Sequence, residues 1–297
     1  MSDMLAQQMV NALSQGAFYA LFATGLTLIF GVLDILNMAH GAIFMWGALL
    51  SWYLLSTLGL PFGWALLLTA VFSGLMGIVL DRVAFRPLRH SASGHLAPLV
   101  SSLAVSIILV NIAERFFGTR VVRYPDNAVP FAKSVEFGGA QISLLHVILL
   151  VTALVLMGGL WYMVNYTRLG RSIRALQENP KVARLMGVDV DRTIAQMFVI
   201  ASAMAGVAGV FLGVAYNSAS PYMGHWVDLK GFAVIILGGM GSIPGAVIGG
   251  LLIAFAEIGT VVFLSSDYRD AAVFLVLMGM LLLRPTGILG TSREIRP

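Results

Sequence analysis

The sequence predicts an all-α polytopic membrane protein of about eight hydrophobic helical segments, some of them broken or re-entrant. Three observations carry that class. Hydrophobic residues fill 59% of the 297 positions and charged residues only 11%, well under the quarter usual in soluble domains. The charges fall between apolar runs rather than along them. The runs also have the length of a span, about 20 residues for a hydrocarbon core roughly 30 Å thick. So few charges cannot screen this much apolar surface from water, whereas lipid solvates it. The chain reads as a single transmembrane domain over 1–297, with a distinct cytoplasmic segment at 166–193.

The segments follow in order. The run 9–33 is uncharged and predicts a helix over 10–33. The run 35–80 has His40 as its one interruption and is too long for a single span. It breaks at Gly59-Leu60-Pro61, giving helices near 38–58 and 62–80. Further helices are predicted near 96–113, 141–165 and 193–216. The stretch 230–264 is interrupted by Gly238-Gly239-Met240-Gly241-Ser242-Ile243-Pro244-Gly245. A last, short segment covers 268–284 and stops before Pro285. Residues 1–8 carry no Lys or Arg, unlike the basic start of a cleaved leader, so the first segment is expected to stay as a span.

Positive charge sets the orientation. Arg82, Arg86 and Arg89 follow the third segment. Arg168, Arg171, Arg174, Lys181, Arg184 and Arg192 lie in 166–192. Both loops should face the cytoplasm, joined by Arg284, Arg293 and Arg296 at the C-terminus. The N-terminus and the long segment 114–140 then lie outside. The net charge of +4 and pI near 9.6 therefore point to a lipid surface and not to nucleic acid.

Two interruptions carry the candidate path. Four glycines and a proline within 238–245 cannot form a stable helix interior. Two readings fit: a tight turn between short helices, or a broken helix beside a translocation path, where irregular backbone is tolerated. The stretch Asp34-Ile35-Leu36-Asn37-Met38-Ala39-His40-Gly41 places Asn and His near membrane depth, where they need partners. It is either a surface loop with Asn37 as helix cap or a second polar break.

The segment 166–193 is compositionally ordered. Asn179 and Pro180 are placed as N-cap and first helical residue. The run 181–186 can form a short basic helix, and Gly187 can close it in a left-handed cap. Asp189 and Asp191 can cap the next span. Upstream, 170–178 can be helical, with Ile173, Leu176 and Gln177 on one face. Such an element either lies in the headgroups or inserts into a cytoplasmic partner. The narrow apolar face of Val182, Leu185 and Met186 favours a partner.

The chemistry of catalysis is missing. There is no GxxxxGK[ST] loop to hold ATP, no HExxH, and no GxSxG or His partner around Ser242. The absence of Cys removes thiolate metal sites and a Cys nucleophile, and no metal or cofactor is expected in this chain. The ionisable groups near the spans are Asp34, His40, His146 and Glu257. Glu257, acidic within an apolar run, either sits at the interface near its helix end or serves an ion-coupled secondary transporter of a small polar or amphiphilic solute.

Three blocks resemble a known family. They are Ala23-Thr24-Gly25-Leu26-Thr27-Leu28-Ile29-Phe30-Gly31 with Asn37-Met38-Ala39-His40-Gly41; Gly170-Arg171-Ser172-Ile173-Arg174-Ala175 with Asn179-Pro180 and Leu185-Met186-Gly187-Val188-Asp189-Val190; and Leu237 through Gly245. In this order they resemble the permeases of ABC importers of the branched-chain amino-acid type, most nearly the LivH-type subunit. Met38 and Met240 stand where Phe is more usual. The resemblance implies a bacterial inner-membrane permease for leucine, isoleucine and valine. It also implies partners: a second permease subunit in a heterodimer, two ATPase subunits that hold ATP and Mg, and a periplasmic substrate-binding protein docking on 114–140 and 217–228. Arg171, Arg174, Asn179, Pro180, Arg184 and Gly187 then couple to an ATPase. Asn37, His40, Gly41, Gly238, Gly239, Gly241, Ser242, Pro244 and Gly245 lie by the path.

Overall fold

The computed structural model describes residues 2–90, 96–125, 134–137 and 140–290. The predicted loop residues 91–95 and 126–133, including Asp126, and the tail with Arg293 and Arg296 lie outside them. Eleven α-helices follow one another among the described residues: α1 (Ser2–Leu33), α2 (His40–Ser56), α3 (Phe62–Leu80), α4 (Leu96–Phe117), α5 (Leu144–Tyr166), α6 (Arg168–Glu178), α7 (Pro180–Leu185), α8 (Val190–Ala215), α9 (Met223–Gly238), α10 (Ile243–Phe263) and α11 (Arg269–Leu283). A small antiparallel hairpin, β1 (Ser134–Phe137) with β2 (Ala140–Ser143), precedes α5. Among the described residues six helices are long and apolar enough to cross a membrane: Met4–Leu33, Phe62–Arg89, Leu96–Phe117, Leu144–Tyr166, Val190–Ala215 and Ile243–Phe263.

The helices form a core and a sheath. α1, α2 and α8 are the most buried. α3, α4, α5 and α11 turn residues such as Leu75, Ile107, Val155 and Leu282 outward, as lipid requires. In lipid, hydrophobicity does not drive helices together, so close packing must. Glycines provide it. A side chain at Gly47 would collide with the backbone of Gly206, and one at Gly209 with the Phe44 carbonyl. Gly209 and Gly213, four residues apart, thus lie where α8 meets its neighbours. Gly213 leaves room for the Tyr124 ring, whose hydroxyl donates to the Ala48 carbonyl at 2.8 Å.

The contacts sort the loops onto two sides. Arg89, after α3, bonds Asp191 at the start of α8 at 2.9 Å, so the two basic segments share a side. On the other side the Gln141 amide donates to Gln7 Oε1 at 2.8 Å, and Val122 pairs with Ala219. This is the arrangement the charge pattern predicts, with the N-terminal end of α1 opposite the basic loops. The stretch 230–264 resolves into two antiparallel helices, α9 and α10, rather than one broken span. That extra pass is what brings the end of α11 back to the α9–α10 turn.

Candidate translocation path and coupling segment

The first break lies at mid-depth. After α1 ends at Leu33, the chain climbs back beside it without regular structure to His40. The His40 ring packs on Phe22, centroids 4.7 Å apart, and Nε2 lies 3.3 Å from the Phe22 carbonyl. Phe22 precedes the end of α1 by eleven residues, about three turns or roughly 16 Å. α2 therefore starts inside the bundle, and the surface-loop reading of 34–41 gives way to an internal break. Its backbone is satisfied within protein: the Met38 amide donates to Ser102 Oγ on α4 at 3.1 Å, and the Ala39 amide to Asn37 Oδ1 at 3.1 Å. Asn37 is not the cap of α2, whose N-cap position is Ala39 with no side-chain cap bond; its fully buried side chain instead braces the turn just before the helix.

Asp228 of α9 completes this junction. The Gly41 amide donates to its carboxylate, and the backbones of Gly41 and Gly224 touch so closely that neither tolerates a side chain. Sequence reasoning missed Asp228. Its signal was available: it is acidic and, like Lys230, interrupts the apolar run of α9. Asn37 Nδ2, His40 Nδ1 and Asp228 Oδ1 are buried with no hydrogen-bond partner among the described residues. Each such group costs about 1–3 kcal/mol. Polar groups kept at that cost in the middle of a bundle point to function rather than to packing.

The second break is a turn. α9 ends at Gly238, and Gly239 and Gly241 adopt φ of 105° and 87°, a conformation open to glycine and strained for other residues. Ser242 caps α10, its Oγ accepting from the Gly245 amide at 3.1 Å, and Pro244 occupies the first turn. The Gly238 and Gly245 backbones are in direct contact. The carbonyls left open at the end of α9 are met by the chain's own C-terminal segment: Ile288 N donates to Leu237 O and Leu289 N to Gly238 O, both at 2.9 Å. So 238–245 is a capped turn, and Met240 is its half-exposed tip.

The segment 166–193 folds as its sequence predicts. Thr167 caps α6. Asn179 caps α7, its Oδ1 accepting from Lys181 and Val182 at 2.9 and 3.2 Å. At the far end Gly187 has φ 85°. Val188 N bonds Ala183 O, and Gly187 N bonds Arg184 O, the paired bonds of a Schellman turn. α6 buries Ile173 and Leu176, whereas α7 leaves Leu185 87% and Met186 80% exposed beside Lys181 and Arg184. Arg171 is exposed. Arg174 is engaged within the chain, bonding the carbonyls of Val164 and Asn165 at the end of α5. Asp189 is the cap of α8, while Asp191 pairs with Arg86 and Arg89 instead.

Glu257 is not a free carboxylate. It is fully buried on α10. Lys230 Nζ stands 2.7 Å from Oε1 and Arg269 Nε 3.0 Å from Oε2. Tyr19 and Gln15 of α1 also donate to it. Asp270, at 2.9 Å from Lys230, brings the two cations and two carboxylates to neutrality. This network ties α1, α9, α10 and α11 together at the outer end. A carboxylate already paired twice offers little to a transported ion, which removes the main support for ion-coupled carriage.

Residues 8–284 match the family described as "Branched-chain amino acid transport system / permease component". The chain belongs to this family. The permease is 39% identical to the high-affinity branched-chain amino acid transport system permease protein LivH of Escherichia coli (strain K12), over 96% of this chain and 95% of that one. It is 38% identical to the corresponding protein BraD of Pseudomonas aeruginosa, with the same coverage. A probable LivH of Methanocaldococcus jannaschii is 27% identical over 97% of the permease. The permease is thus a multi-pass transport subunit and not an enzyme, one component of a system that includes ATPase and binding-protein partners.

Proposed function

We propose that this chain forms part of the translocation path of an ATP-driven importer for the branched-chain amino acids leucine, isoleucine and valine, in a bacterial inner membrane. One observation carries the coupling role: a short helix capped at both ends, held out from the bundle with Val182, Leu185 and Met186 bare beside Lys181 and Arg184. In this reading an ATPase subunit receives that helix. Asn179, Pro180 and Gly187 give it shape, Arg171 and Arg184 meet the partner, and Arg174 anchors its base. ATP and Mg are held by two ATPase subunits. A second, different permease subunit completes the pore, and a periplasmic binding protein delivers substrate to the outer face.

Asn37, His40 and Gly41 lie by the path in this reading, and the turn 238–245 with Gly238, Gly239, Gly241, Ser242, Pro244 and Gly245 moves with it. A hydrophobic amino acid is a zwitterion, so its route needs a few polar groups among apolar walls. The buried polar junction at α2 supports this role.

The test starts with purification of the tagged chain in detergent from its host. Co-purifying ATPases and a second permease are expected, with leucine uptake by the reconstituted complex. Arg184→Glu should then lower uptake while the complex still hydrolyses ATP. Uptake and ATPase activity both unchanged by Arg184→Glu would sink the docking role. Purification of the chain alone, with uptake under an ion gradient and no ATP, would overturn the importer reading itself.

A further inference from the structure

Gly31 occupies a three-way junction at the cytoplasmic end of α1. A Cβ at this position would sit 3.0 Å from Gln177 Nε2 on α6 and 3.1 Å from Gly241 Cα in the α9–α10 turn. Gln177 lies in the last turn of α6, two residues before Asn179, the cap of α7. α6 is no loose appendage: Ile173 and Leu176 are fully buried, and it packs on both α1 and α8. The turn on the other side of Gly31 is equally tied. Gly238 and Gly245 are in backbone contact, so α9 and α10 move as a unit. The opposite end of that unit carries Lys230 and Glu257 of the outer network.

We propose that Gly31 and Gln177 are positioning residues for coupling, and that displacement of α7 reaches the α9–α10 hairpin through Gln177, Gly31 and Gly241. This rests on the docking role proposed above for α7. The junction works because it is close-packed and has no side chain at its centre. A hinged lever with a gap there would absorb the displacement, whereas contact at van der Waals distance passes it on. A methyl group at position 31 would press on the Gln177 amide and on the Gly241 backbone, one of which must give by a few tenths of an ångström, and so would disturb the junction without displacing a buried helix.

The experiment uses the full transporter, reconstituted in liposomes with its ATPases and binding protein. Leucine uptake and ATP hydrolysis are measured together. Gly31→Ala is expected to lower uptake per ATP about 5-fold, and Gln177→Ala alone, which opens a gap at the junction, to lower it as well. An unchanged ratio in Gly31→Ala overturns the proposal. So does a parallel fall in uptake and hydrolysis in Gly31→Ala, which would make Gly31 a packing position only, and so does an unchanged ratio in Gln177→Ala. A second measurement does not depend on Gly31→Ala assembling. The chain has no Cys, so Gly31→Cys with Gln177→Cys can be bridged by a short, cleavable thiol reagent. Bridging should arrest uptake, and reduction should restore it; bridged complex that transports normally overturns the proposal. If Arg184→Glu has no effect, the docking role fails whatever Gly31 does. If Arg184→Glu uncouples and Gly31→Ala does not, only the junction fails.

Discussion

The outer and inner ends of this molecule use charge in opposite ways. At the outer end Lys230, Glu257, Arg269 and Asp270 face one another, and the central carboxylate is wholly buried. At the inner end Lys181 and Arg184 stand exposed on α7, with no ion pair among the described residues. The first arrangement holds helices together; the second leaves charge for something else to meet. The same residue types therefore carry different information depending on whether the fold satisfies them. Even within the inner end the distinction holds: Arg89 pairs with Asp81 and Asp191 and Arg174 bonds the end of α5, whereas Arg184 is exposed and has no ion pair among the described residues.

That contrast can be broken most severely at Glu257. Glu257→Ala strips Lys230 and Arg269 of their shared buried partner and is expected to cost about 3 kcal/mol, read as a large fall in the melting temperature of the purified permease. Glu257→Gln keeps the shape and some hydrogen bonds and should cost less. Equal, negligible losses in both would mean that the outer network is not a staple. Gly187→Val acts at the other end and on a smaller scale. A β-branched residue at φ 85° costs about 1–2 kcal/mol, and the Schellman turn opens. Because α7 buries little besides Ala183, the global melting temperature should hold while uptake falls. A melting temperature that drops as far as in Glu257→Ala would show α7 to be part of the core.

The sequence made the local features legible and the long-range ones less so. Caps announce themselves within a few residues, so Asn179, Gly187 and Asp189 were readable where they stand. The glycines of α2 and α8 carry no sign in the sequence of which helix lies opposite them. The break at 34–41 was visible as Asn and His in an apolar run, yet its depth was not, because depth depends on how far the chain climbs back along α1. Asp228 and Lys230 were overlooked for the same reason: their partners, Gly41 and Glu257, are distant in sequence. The turn at 238–245 was seen, but its true capping groups come from 288 and 289, which no local pattern connects to it.

The smallest of these effects sharpens the comparison further. Asn179 Oδ1 accepts from two amides of α7, so Asn179→Ala removes the N-terminal cap at a cost of about 1 kcal/mol. In a long helix packed on neighbours such a loss would be absorbed. α7 has six residues, far fewer than an isolated helix needs to persist on its own, and its exposed face gives it few contacts to fall back on. The loss should therefore fall on α7 alone. Amide hydrogen exchange is expected to quicken at 181–187 and to stay unchanged in α1, α8 and α10, with a modest fall in uptake per ATP. Asn179→Asp, which keeps an acceptor, should restore protection. Exchange that quickens across α6 and α1 as well would show the coupling segment to be one cooperative unit with the bundle, and the division between a fixed outer end and a separately ordered inner end would have to be redrawn.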